Sequence, residues 1–85
     1  MLERQVIVNR TEGLHARPAA DIMKLAIRYK SQIVIVFGSR NANAKSMLSM
    51  IKLGVKQGNE VLVRADGPDA EEALSVISGY LEAAV

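Results

Sequence analysis

Three short β-branched runs, spread along the chain at similar intervals, limit what it can fold into. They are residues 4–9 (RQVIVN), 32–37 (QIVIVF) and 60–65 (EVLVRA). Each is bounded by polar or turn-forming residues, the pattern of a strand. Between the first two the spacing of apolar residues changes. Across residues 16–29, Ala19, Ile22, Met23, Ala26 and Ile27 recur at helical intervals. A second helical pattern closes the chain, with Ala70, Ala73, Leu74, Ile77, Tyr80, Leu81 and Ala84 on one face and Asp69, Glu71 and Glu72 at its positive end. Turn chemistry at Gly38-Ser39-Arg40-Asn41 leads into a weaker strand at residues 41–44, which completes a hairpin. Ser46 then stands as a cap before Met47, Leu48, Met50, Ile51 and Leu53, with Gly54 as the stop of a short helix. The order is β-α-β-β-α-β-α. It predicts an α+β open-faced sandwich, a four-stranded antiparallel sheet with three helices on one face. No linker, repeat or low-complexity stretch interrupts it, so residues 1–85 are expected to form one domain.

Composition removes several functions. With no cysteine and a single histidine, neither a disulfide framework nor a Cys/His zinc site can form, and no metal or cofactor is expected. No apolar run is long enough to span a bilayer and no charged-then-apolar leader opens the chain, so the expected compartment is the cytoplasm, without membrane insertion. A formal charge of +2 is too small to argue for nucleic acid, though it suits acidic protein partners. A ferredoxin-like RNA-binding sheet would need stacking aromatics on its central strands, and the strands offer Phe37 alone.

Chemistry concentrates at Gly13-Leu14-His15-Ala16-Arg17-Pro18. Proline is tolerated in the first turn of a helix, where its missing N–H costs no intrahelical bond, so Pro18 sets the helix start at His15 or Ala16. A histidine there faces unpaired backbone N–H groups and the positive end of the helix dipole, surroundings that favour the neutral, nucleophilic ring. An anion carried on that ring would be held by the N–H groups of Ala16 and Arg17, and the Arg17 guanidinium adds a planar set of donors. Small residues at Ala16, Ala19 and Ala20 leave room for a bulky partner. On local physics alone, a solvated capping histidine and a surface arginine account for the same residues.

The run Gly13-Leu14-His15-Ala16-Arg17-Pro18-Ala19-Ala20 resembles the active-centre signature of the HPr family, the small phosphocarriers of the bacterial phosphotransferase system. Length and element order agree with it. The resemblance implies that His15 accepts phosphate on Nδ1 from enzyme I, itself charged by phosphoenolpyruvate. The group then passes to an enzyme IIA domain, with Arg17 assisting it. The chain would be a carrier, not an enzyme, and would act as a monomer.

A second segment, Asn43-Ala44-Lys45-Ser46-Met47-Leu48, resembles the family's regulatory segment. It implies phosphorylation of Ser46 by an HPr kinase/phosphorylase, with a transcriptional regulator as a further partner; a plain N-cap is the simpler reading of the same serine. The docking face implied is Ala20, Lys24, Ile27, Met47, Leu48 and Ile51, rimmed by Arg17, Lys45 and Lys52, with Met50 and Leu53 in the core. Residues 37–42 and Ser49 with Lys52 depart from the commonest family wording. A regulatory protein acting chiefly through Ser46 is the competing reading, although such a chain would be expected to lack the histidine.

Overall fold

A computed structural model describes residues 1–84. Its elements are β1 (Leu2–Ile7), α1 (Ala16–Ala26), β2 (Gln32–Phe37), β3 (Arg40–Asn43), α2 (Met47–Ile51), β4 (Glu60–Asp66) and α3 (Ala70–Glu82). The strands form one antiparallel sheet in the order β1-β4-β2-β3. Period-two alternation decides its faces. Val6, Ile33, Ile35, Val61, Val63 and Ala65 point inward and are buried against the helices with Ile22, Met50, Ile77 and Leu81. Each large aliphatic side chain buried this way contributes about 1.5–3 kcal/mol. The other face stays open, and there Glu3 sits directly opposite Arg64, which donates to its carboxylate at 2.7 Å. The expected open-faced sandwich is therefore the observed fold.

Boundaries differ where backbone groups find partners that local sequence does not reveal. The first strand runs over Leu2–Ile7 instead of residues 4–9. Beyond Ile7 the chain leaves the ladder: the Val8 N–H donates to Asn59 O and the Asn9 N–H to Leu81 O, both at 2.9 Å. α1 stops at Ala26, short of Tyr29, because the next residues turn to bring Ser31 under α3. There Asp69 accepts from the Ser31 hydroxyl at 2.6 Å and from the N–H groups of Ser31 and Lys30 at 3.0 and 2.9 Å. α3 ends at Glu82, so Ala84 is exposed past its end and does not extend the buried face. The hairpin strand starts one residue early, at Arg40, and ends at Asn43.

Two predictions arise here. The Ser31 hydroxyl, then the Lys30 N–H, lower the Asp69 carboxyl from its ordinary 3.8 to about 2. A carboxylate stabilised in the folded state contributes fully above its unfolded value and loses that contribution as pH falls through the folded one. Urea melts at successive pH values should therefore show the stability advantage of the native chain over Asp69→Asn shrinking between about pH 4 and pH 2. An unchanged difference across that window would refute the linkage. Elsewhere, Ser78 is fully buried in α3 and its hydroxyl has no hydrogen-bond partner among the described residues. An unsatisfied buried hydroxyl is costly and alanine is the better helix former, so Ser78→Ala should raise stability by about 1 kcal/mol. A loss in the same melt would show that the hydroxyl is satisfied.

Candidate functional site

The loop between β1 and α1 is fixed at its far end by a close backbone approach. Gly13 has φ +65°, and a Cβ there would lie 2.8 Å from Lys56 Cα and closer still to Val55 O. The next residue, Leu14, is buried and its N–H donates to that same Val55 carbonyl at 3.0 Å. His15 follows with extended backbone (φ −77°, ψ −175°) as the N-cap of α1, and its carbonyl accepts the helix's first bond, from Ala19 N–H at 2.9 Å. Pro18 is buried in the first turn, as its place in the sequence requires.

His15 is exposed, and its ring neither caps α1 nor makes another hydrogen bond among the described residues. Ala16 and Arg17, also exposed, occupy the first two helical positions, whose N–H groups have no intrahelical acceptor. The ring therefore keeps both nitrogens for chemistry at a helix end suited to an anion. Ala19 departs from the sequence expectation. It is fully buried, so access around the histidine comes from exposed Ala16 and half-buried Ala20.

Arg17 lines a cavity of about 470 Å³ with Arg10, Thr11, Glu12, Pro18, Asp21 and Tyr80. It makes no hydrogen bond or ion pair among the described residues, with His15 or with any other group. The guanidinium of Arg10 stacks 3.6 Å above the Tyr80 ring and its Nε donates to the Tyr80 carbonyl at 2.8 Å. The Tyr80 hydroxyl in turn donates to Asp21 Oδ2 at 2.8 Å. Burial, then this bond to Asp21, pushes the phenol up to about 12, so it remains a donor at physiological pH. Arg10, Asp21 and Tyr80 escaped sequence reasoning; each looks like a surface or helix-face residue when taken alone.

The residues expected to form a docking face lie on or just after α1 and on α2, which pack against each other. Ile27 is 60% exposed, Leu48 61% and Met47 37%, while Ala20 and Ile51 are half-buried and Lys24 and Lys52 exposed. Met50 and Leu53 lie in the core, as expected. Lys45 is committed elsewhere, its ammonium donating to the Tyr29 carbonyl at 2.7 Å. Ser46 caps α2, its hydroxyl accepting from Ser49 N–H at 3.4 Å. Among the described residues no cluster of His, Cys, Asp or Glu is placed to hold a metal ion, and no helix is long and apolar enough to cross a membrane.

An exposed histidine at a helix start, its ring without a hydrogen bond among the described residues, has the chemistry to accept a group covalently. The model of the family described as "PTS HPr component phosphorylation site" matches residues 2–83. The phosphocarrier protein HPr of Mycoplasma pneumoniae is 40% identical over 83 residues, 96% of this chain and 94% of that one. The HPr-like protein Crh of Bacillus subtilis is 35% identical over 82 residues, 96% of each chain. A crystal structure of HPr from Thermoanaerobacter tengcongensis superposes with a TM-score of 0.91 at 39% identity, covering 96% of this chain and 92% of that one. The chain belongs to the HPr family of phosphocarriers of the phosphotransferase system.

Proposed function

We propose that His15 takes a phosphoryl group from enzyme I and gives it to enzyme IIA domains. The observation that carries this reading is the unanchored, exposed imidazole at the start of α1, with the N–H groups of Ala16 and Arg17 beside it. Nδ1 attacks phosphorus as the bond to the donor group on enzyme I breaks, and the same step in reverse sense loads the next acceptor. Positive dipole and N–H groups stabilise the charge on the transferring group, and Arg17 supplies further donors once the partner closes over the site. No net bond type is lost between one phosphohistidine and the next, so the chain acts as a carrier and not as an enzyme. It needs no metal or cofactor for this step.

Ala20, Lys24, Ile27, Met47, Leu48 and Ile51 form the docking face. Flexible methionine suits a surface that must accept several partners, and the lysine rim suits acidic ones. Docking through one face needs a single copy of the chain, in the cytoplasm where enzyme I is charged. A regulatory layer at Ser46 is favoured by its place beside Met47 and Leu48: phosphorylation by an HPr kinase/phosphorylase would put about −1.5 to −2 charge units at the edge of the docking face. That charge opposes acidic enzyme I and offers a handle to a transcriptional regulator.

The test is incubation with phosphoenolpyruvate and enzyme I from the same organism, followed by intact mass before and after acid. One acid-labile phosphate per chain is expected. No uptake, with the enzyme I shown to be self-phosphorylated, would end the relay reading.

A further inference from the structure

On an isolated helix, Arg17 and Asp21 would be partners. They stand four residues apart on α1, where opposite charges meet on one face, and both line the same cavity. In the structure they do not pair, and Asp21 accepts from the Tyr80 hydroxyl at 2.8 Å. Tyr80 is itself held from the other side. Arg10 lies 3.6 Å over its ring and bonds its carbonyl, joining the loop after β1 to α3. The three side chains thus brace loop, closing helix and first helix together, across separations of 70 and 59 residues in sequence. Arg17 lies near enough for its charge to act on the Tyr80 phenol, yet has no acceptor among the described residues.

We propose that Tyr80 is a positioning residue for phosphoryl transfer: by engaging Asp21 it keeps that carboxylate off Arg17 and leaves the guanidinium free for a phosphate on His15. The inference rests on the phosphate role given to Arg17 above. Arg10 serves the same end by fixing the ring from which the hydroxyl projects. Without that hydroxyl, Asp21, one turn along α1 and lining the same cavity, would be released to pair with Arg17. Each transfer would then first have to break an ion pair.

Tyr80→Phe isolates the effect, since it keeps the ring, its burial and the stack under Arg10. The rate of phosphate uptake from phosphorylated enzyme I should fall roughly two- to threefold, the weight of one partly exposed i,i+4 ion pair. Adding Asp21→Asn to Tyr80→Phe should restore the native rate, a rescue that a merely structural tyrosine would not show. In an Arg17→Ala background Tyr80→Phe should change nothing further. A stability cycle gives a readout independent of transfer: Arg17→Ala and Asp21→Asn should be additive in the native chain and coupled in Tyr80→Phe. If Arg17→Ala slows uptake but Tyr80→Phe does not, or if Asp21→Asn fails to rescue, the positioning role is overturned while the phosphate role of Arg17 stands. If Arg17→Ala leaves uptake unchanged, the phosphate role fails and the inference falls with it, whatever the cycle shows.

Discussion

With alanine in place of His15, the chain should take up acid-labile phosphate at least about a thousandfold more slowly than the native protein, because the phosphoryl acceptor proposed above is gone. Folding should be almost untouched. The His15 ring is exposed, makes no hydrogen bond among the described residues and contributes no cap to α1, so urea melts of native and His15→Ala chains should agree within about 0.5 kcal/mol. That pairing of total functional loss with unchanged stability distinguishes a phosphoryl acceptor from a residue that merely holds the loop. Residual labelling at the native rate would place the labile phosphate elsewhere, and tandem mass spectrometry of the product would locate it.

Gly13→Ala should have the opposite character, a large loss of stability, of about 2–4 kcal/mol. Two penalties combine there. The backbone sits at φ +65°, where a Cβ is strained, and the added methyl would collide with the backbone of Val55 and Lys56. Neither obstacle is the flexible end of a side chain, so relief requires moving the loop that carries Leu14 and His15. Gly54→Ala is the control, because its φ of +72° is similar while nothing lies near the added carbon. It should cost only the conformational part, about 1 kcal/mol. Equal losses at the two positions would mean that steric approach at Gly13 is absorbed without strain. A native-like Gly13→Ala chain would remove the anchoring role of the Val55 contact altogether.

Much of this molecule was legible because local signals agreed with the final fold. Pro18 marked the first turn of α1 and so put His15 at its cap; Gln32–Phe37 announced β2 by composition alone. Excess apolarity in Met47–Ile51 correctly implied that part of α2 faces solvent, while the division between exposed Leu48 and buried Met50 came from the family resemblance alone. What escaped are contacts between residues far apart in sequence with no periodicity to betray them. Asp69 read as a helix-end charge, whereas its carboxylate holds Ser31 and Lys30 and makes no cap bond to α3. Tyr80 read as one more residue of an apolar stripe, yet its hydroxyl and ring tie three segments together. Size counts Ala19 among the residues that leave access to the histidine, and charge places Lys45 on the docking rim. One is core and the other is bonded to a backbone carbonyl, distinctions made only by the tertiary neighbours.

The bare imidazole of His15 has a kinetic meaning. Dedicated catalytic histidines are commonly locked in one tautomer by a carboxylate or carbonyl behind them, and this ring has no such support among the described residues. On the relay proposed above, the ring's orientation is set in each complex by whichever partner covers the α1–α2 face. Half of the reacting geometry is lent by the visitor. A carrier built this way should be sluggish toward small phosphoryl donors free in solution, and so guards its cargo against promiscuous exchange while it diffuses between partners.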